Sequence, residues 1–488
     1  MMELAVKLKN IKKSYGIKDV LHIEELTVYQ NERIGIVGSN GSGKSTLLRL
    51  LKGEIQSDSG QVQREIDFLY YPQIPQDGLI TPAKKELDEE LISRFGLTKN
   101  TPGLSGGEQA KFRLAELLSG YEMGLLLDEP TTHLDTTGIQ LLVEELRYYY
   151  GTLLFVSHDR TFLNELATKI WEVQDGQVTV YSGNYDAYQE QKALQEAVTN
   201  KAQDQYQKEK QRLEAAVATK KAQAEKSRQL SAKKRQKNIR PDRLSSSKQK
   251  DTVEKNLQKT AKALASRLEQ LEAPESSQRL QKIKFPPSKT VALHNKYPFI
   301  GTNFTLKREK ILLEQVDFQF ALGEKIAIVG ANGVGKSSFL NAILENNEHV
   351  IRSPKVVCSI YQQLAYQLQG PESVLHYLMK QTEYPEKLVR SILHNLGFSP
   401  GEVHKPLTVL SGGEATRVEL ASVFVRPANV LLLDEPTNFI DLATIEALEN
   451  LIQAYPGTVL FTSHDQAFVD KVATQVYQIC ERQLVRIR

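Results

Sequence analysis

Apolar runs of strand length alternate with helical patterns along this chain, as in RIGIV at Arg33–Val37, GLLLD at Gly124–Asp128 and LLFVS at 153–157. That alternation predicts an α/β domain on a largely parallel sheet. The pattern then returns. RIGIVGSNGSGKST at 33–46 recurs as KIAIVGANGVGKSS at 325–338. Further matches keep the same order: LSGGE at Leu104 and Leu410, LLLDEPT at Leu125 and Leu431, SHD at Ser157 and Ser463. A period close to 300 residues is far too long for a solenoid and marks a duplicated domain. The expected division is one α/β domain over 1–188, a linker over 189–290 and a second α/β domain over 291–488.

Between the copies the period changes. Leu194, Val198, Tyr206, Leu213 and Val217 fall at helical spacings, as do Val253, Leu257, Leu264, Leu268 and Leu271 ahead of Pro274. Two helices joined by a polar loop at 228–250 predict an antiparallel hairpin, whose first helix alone reaches about 60 Å. Charge sharpens this picture. Residues 191–290 hold 25 of the 62 basic and 11 of the 59 acidic residues, a net +14, which leaves 37 and 48, a net −11, on the rest. Such an arm is drawn to nucleic-acid phosphate and orients the molecule arm first. Lys233, Lys234, Arg235, Lys237, Arg240 and Arg243, in its most basic stretch, are the candidate nucleic-acid contacts.

With 40% apolar and 25% charged residues, the 488-residue chain has the balance of a folded protein of at least two globular units. Cys358 and Cys480 lie far apart in strand-like stretches, which predicts two buried thiols rather than a disulfide or zinc site. No run approaches the roughly 20 apolar residues of a membrane span, and the N-terminus has no signal-peptide pattern, so a cytoplasmic location is expected.

The chemistry lies in the repeated motifs. GxxxxGK[ST] occurs at 38–45 and 330–337, each time between a strand and a helical run. In such a loop glycines let backbone N–H groups wrap phosphates, while the lysine reaches the β/γ oxygens and the serine coordinates Mg²⁺. The predicted ATP cradles are Gly38, Asn40, Gly41, Gly43, Lys44, Ser45 and Thr46, and Gly330, Asn332, Gly333, Gly335, Lys336, Ser337 and Ser338. The strands LLLDE end in paired carboxylates. Asp128 and Asp434 suit the metal, and Glu129 and Glu435 suit polarising a water for in-line attack. His158 and His464, after a further strand, are placed to contact the γ-phosphate. Ser105, Gly106 and Gly107, and Ser411, Gly412 and Gly413, begin helical runs and present amides to an anion.

This ordered set resembles the ATP-binding-cassette ATPases across both halves. The resemblance implies that the LSGGE of one unit closes over the phosphate loop of the other. Site one would then join Lys44, Ser45, Gln73, Asp128, Glu129 and His158 to Ser411 and Gly413. Site two would join Lys336, Ser337, Gln363, Asp434, Glu435 and His464 to Ser105 and Gly107. Gln73 and Gln363 fall at the family's Q-loop position, as further Mg²⁺ ligands. Tyr15 matches the residue that stacks on adenine. In the second copy, aligning Val20 with Ile311 puts Leu306 opposite Tyr15 and leaves Phe304 or an apolar contact for that role. Asp135 and Asp441 match the loop that communicates across the pair.

Two cassettes in one chain, the charged helical linker and the SGNYDAY stretch before it resemble the ABC-F family, and the 30-residue interval between Gln73 and Leu104 is similar to its antibiotic-resistance branch. That resemblance implies a monomer with an intramolecular cassette dimer and no membrane subunits. It implies entry into the exit site of the 70S ribosome, beside 23S rRNA and the P-site tRNA, with the basic arm residues contacting ribosomal RNA and with displacement of macrolide, lincosamide or streptogramin drugs. The same catalytic motifs also fit a tandem transporter ATPase or a DNA-directed ATPase.

Overall fold

The computed structural model describes residues 3–16, 18–73, 88–97, 106–132, 134–236, 256, 259–260, 262–271, 281–286, 293, 295–345, 348–361, 368 and 370–488. These form two compact units, one of residues 1–188 with 280–488 and one of 189–279.

In the first unit the duplication is visible strand by strand. Cassette one opens with β1 (Leu4–Tyr15), β2 (Lys18–Tyr29) and β3 (Arg33–Val37), then α1 (Lys44–Lys52), β4 (Ser59–Arg64), β5 (Phe68–Tyr71), α2 (Glu89–Arg94) and α3 (Gly106–Leu118). It continues with β6 (Gly124–Asp128), α4 (Thr136–Tyr148), β7 (Thr152–Val156), α5 (Arg160–Leu166), β8 (Lys169–Gln174) and β9 (Gln177–Ser182). After α6 (Tyr185–Gln236), cassette two repeats the plan with β10 (Phe299–Lys307), β11 (Ile311–Phe320), β12 (Lys325–Val329), α7 (Lys336–Ala342), β13 (Val350–Arg352) and β14 (Cys358–Tyr361). Its helical side adds α8 (Val374–Met379), α9 (Glu386–Asn395) and α10 (Gly412–Val425), followed by β15 (Val430–Leu433), α11 (Leu442–Ala454), β16 (Thr458–Thr462), α12 (Gln466–Val472), β17 (Gln475–Cys480) and β18 (Gln483–Arg486).

The central sheets have the orders β5-β6-β7-β3-β8-β9 and β14-β15-β16-β12-β17-β18, parallel except at the last strand. An antiparallel sheet accompanies each, β2-β1-β4 and β11-β10-β13. Alternation along the buried strands sorts side chains to two cores. Leu126 joins Ile34, Ile36 and the α1 leucines beneath the antiparallel sheet, while Leu125 and Leu127 join α3, α4 and α5 on the other face. That second cluster runs without a break into cassette two, taking in Phe461, Phe468 and Val418. Each fully buried leucine or phenylalanine contributes roughly 1.5–3 kcal/mol.

Residues 281–286, read from sequence as the end of the linker, lie on cassette two. Gln281 N donates to Asn395 Oδ1 and Asn395 Nδ2 to Gln281 O, both at 2.8 Å. Phe285 packs among Tyr384, Phe424 and Tyr455. Both cysteines are free but half-buried rather than buried, and burial raises the Cys358 thiol to about 11.

The second unit contains most of α6, a helix of 52 residues, or about 78 Å. Its end corrects the expected loop. Lys233, Lys234 and Arg235 are helical, because the SAKKRQ stretch consists mainly of good helix formers. Lys237, Arg240 and Arg243 lie outside the described residues. On the apolar stripe Leu213 is buried, Tyr206 and Val217 are half-buried, and Leu194 and Val198 are exposed. Residues 262–269 form a second helical stretch, and Arg267 comes within 3.8 Å of Glu209 on α6.

Candidate functional site

Each phosphate loop turns out of a central strand and into a helix through left-handed glycines. Gly43 (φ 106°) and Gly335 (φ 105°) cap α1 and α7. A Cβ on Gly38 would stand 2.3 Å from the Val173 carbonyl oxygen, and one on Gly43 2.9 Å from Val20 Cγ1. Only glycine fits there. Lys44 Nζ donates to the Gly38 and Ser39 carbonyls at 2.8 and 3.0 Å. In the second copy Lys336 donates to Gly330 and Ala331 at 2.9 and 3.1 Å, and to His464 Nε2 at 3.0 Å. That last contact requires the neutral Nδ1–H tautomer of His464.

At the strand ends Glu129 and Glu435 take positive φ, 51° and 48°, a conformation uncommon for a non-glycine residue. Each carboxylate is aimed at its histidine, with His158 Nε2 3.1 Å from Glu129 Oε1 and His464 Nε2 3.2 Å from Glu435 Oε1. Burial raises both glutamates to about 7, against the pull of Lys44 and Lys336. It lowers His158 to about 3 and His464 to about 4, so both imidazoles are neutral at physiological pH. A carboxyl near 7 is matched to accept a proton at neutral pH.

Asp128 is buried and takes a hydrogen bond from Tyr70 Oη at 3.1 Å and another from Ser45. Asp434 takes Ser337 Oγ at 2.9 Å and Thr462 Oγ1 at 2.7 Å. Neither Tyr70 nor Thr462 was found from sequence, because copy two carries Ile360 at the first position and copy one Val156 at the second. The repeat could have revealed the hydroxyl pairs Thr131–Ser157 and Thr437–Ser463, both 3.2 Å, since each stands in a matched motif.

A cavity of about 1520 Å³ runs between the cassettes and brings the two sets together. Its walls include Asn40, Gly41, Gly43, Lys44, Ser45, Thr46, Gln73, Asp128, Glu129 and His158 opposite Ser411 and Gly413. They also include Asn332, Gly333, Gly335, Lys336, Ser337, Ser338, Glu435 and His464 opposite Gly107. Asn40 N donates to Asp441 Oδ2 across the interface at 2.8 Å. In cassette one Asp135 pairs with its own Lys111 at 3.2 Å and also acts electrostatically across the interface on Lys336 and His464. Ser105 and Gln363 lie outside the described residues.

Tyr15 lines this cavity and is 50% exposed, so its ring is open to a base. Of the two alternatives for cassette two, Phe304 does not hold. Phe304 is 0% exposed, packed edge-on against Phe318 and Phe339. Leu312, rather than Ile311, stands in the place of Val20: a Cβ on Gly335 would meet it at 3.0 Å, and it lines the cavity.

The ABC transporter family model matches residues 21–132 and 313–438, and a second model of the same description matches 171–240. The erythromycin resistance ATP-binding protein MsrA of Staphylococcus epidermidis is 43% identical over 482 residues, 98% of each chain. The ribosome protection protein VmlR of Bacillus subtilis (strain 168) is 34% identical, over 96% of this chain and 86% of that one. Among solved structures the RNase-L inhibitor aligns with a TM-score of 0.63 at 19% identity, over 98% of this chain and 91% of that one, a likeness of fold alone. With paired phosphate loops facing signature helices, and full-length similarity at this level, the chain belongs to the ABC-F family of tandem ATP-binding-cassette ATPases.

Proposed function

We propose that this ATPase protects the ribosome from antibiotics, entering the exit site of the 70S ribosome with both cassettes closed on ATP and using its arm to displace a bound drug. The carrying observation is similarity along 98% of the chain to an erythromycin resistance protein, arm included. A basic helical arm supports it further, since cassettes docking on membrane subunits need none. Among the described residues no helix is long and apolar enough to cross a membrane.

In this reading ATP lies between phosphate loop and opposing signature helix, with Tyr15 on the adenine of site one. Glu129 and Glu435 accept the proton of the attacking water, while neutral His158 and His464 contact the γ-phosphate. Ser45, Asp128 and Gln73, with Ser337, Asp434 and Gln363, make oxygen-donor sets of the kind Mg²⁺ prefers beside nucleotide phosphates. That the two carboxylates already accept the serine hydroxyls fits such a site. When bound, the ion neutralises β- and γ-phosphate charge.

Cosedimentation tests the reading. A Glu129→Gln, Glu435→Gln protein with ATP should pellet with 70S ribosomes, and wild-type protein should raise drug tolerance in a susceptible host. Pelleting with membranes or DNA instead, or unchanged susceptibility to macrolides, lincosamides and streptogramins, would remove the ribosomal assignment.

A further inference from the structure

Helix α11 of cassette two meets site one, whose phosphate loop is in cassette one, at two points. At its N-cap Asp441 accepts the backbone N–H of Asn40. Just over two turns later comes Glu449, wholly buried, with its carboxylate 2.6 Å from the Arg160 guanidinium. Arg160 follows His158 by two residues. The other Glu449 oxygen lies 2.6 Å from Lys471. One rigid element of the opposite cassette therefore holds both the phosphate loop and the histidine segment of site one.

The duplicated half cannot reproduce this. Asp135 and Asp441 cap α4 and α11, so the position eight residues on is Val143 in one and Glu449 in the other. Asp159 and Asp465 cap α5 and α12, so the next residue is Arg160 in one and Gln466 in the other. Gln466 bonds Asp470 on its own helix, at 3.2 Å. A buried ion pair adds little net attraction, since desolvation offsets its Coulomb energy, but the buried Arg160 does not tolerate losing its carboxylate, while Glu449 would keep Lys471. Its contribution is a defined position.

We propose that α11 is a one-sided strut, in which Arg160 and Glu449 are positioning residues that keep site one closed on nucleotide while site two exchanges. The two sites then release nucleotide at different rates, site one being the slower.

The experiment uses the full-length protein loaded at both sites with a fluorescent, non-hydrolysable ATP analogue and chased with excess ATP. Two release phases are expected, and Lys336→Ala, which empties site two, should abolish the fast one. Replacing the ion pair by an apolar pair, Arg160→Met with Glu449→Met, should speed the slow phase about tenfold and leave the fast phase within about twofold, a typical size for coupling between sites. A single phase, or equal acceleration of both, would overturn the strut. Should the methionine pair fail to fold, Glu449→Gln is read by the same two rates. Because the analogue is not hydrolysed, the result is independent of the roles given to Glu129 and Glu435, whose failure would show only in turnover.

Discussion

In site one the carboxylate Asp128 leans on the phenol of Tyr70, whereas in site two Asp434 leans on the hydroxyl of Thr462, and each copy has an apolar residue where the other has its donor. A buried carboxylate needs a partner, but the partner can approach from either neighbouring strand. The sites differ again in their walls: an exposed tyrosine beside one, Leu312 beside the other. Two copies of one motif set thus hold the same carboxylate with different neighbours. Chemistry common to both sites survived duplication, while its supports drifted apart.

The largest effect should be common to both sites. Glu129→Gln or Glu435→Gln should slow hydrolysis at its own site by about 10²–10⁴-fold, the usual contribution of a positioned base. Single-turnover assays would show whether the remaining site continues. The carboxylate supports should sharpen the contrast. Tyr70→Phe should weaken nucleotide at site one only, and Thr462→Val at site two only, each by about tenfold, as expected on losing a hydrogen bond to a charged group. KM measured in the Glu435→Gln or Glu129→Gln background reads each site, and exchanging the pair, Tyr70→Ile with Val156→Thr, should recover site one. Equal losses at both sites would break the comparison.

A smaller effect is expected at the base. Tyr15→Ala should raise KM at site one by roughly threefold to tenfold, the equivalent of an aromatic contact, and leave site two unchanged. The smallest is a pH effect on stability. Glu435 is raised to about 7, so the folded protein binds more protons than the unfolded chain between the ordinary glutamate range and pH 7. Stability from this group therefore falls as pH rises through that window. Glu435→Gln should raise the Tm of nucleotide-free protein at pH 8 and change it little at pH 4.5. The same Tm change at both pH values in a thermal melt would place the carboxylate in a solvated, ordinary environment.

Much of this was legible because it is local. A phosphate loop needs glycines, a lysine and a serine within eight residues, and the strand before it and helix after it announce themselves by period. The duplication made each motif its own control. Phe304 was misread for an equally physical reason. The β10–β11 ladder carries register shifts between Gly301 and Phe304, Phe304 and Leu306, and Leu306 and Lys307. Each irregularity disturbs the alternation of faces, so nearness in sequence to the expected place does not tell which side a ring faces, and Phe304 lies in the core. The arm helix ran past its expected end because the charged residues read as loop are also good helix formers.

By itself the sequence determined two α/β cassettes, their phosphate loops, the candidate glutamates and histidines and a basic helical arm, since short-range pattern and residue chemistry suffice for each. Only the tertiary structure decided which hydroxyl reaches Asp128 or Asp434, that Phe304 is core, that residues 281–286 anchor on cassette two, and that Arg160 meets Glu449. These depend on strand register and on residues hundreds of positions apart arriving at one place, where burial turns a weak polar contact into a constraint.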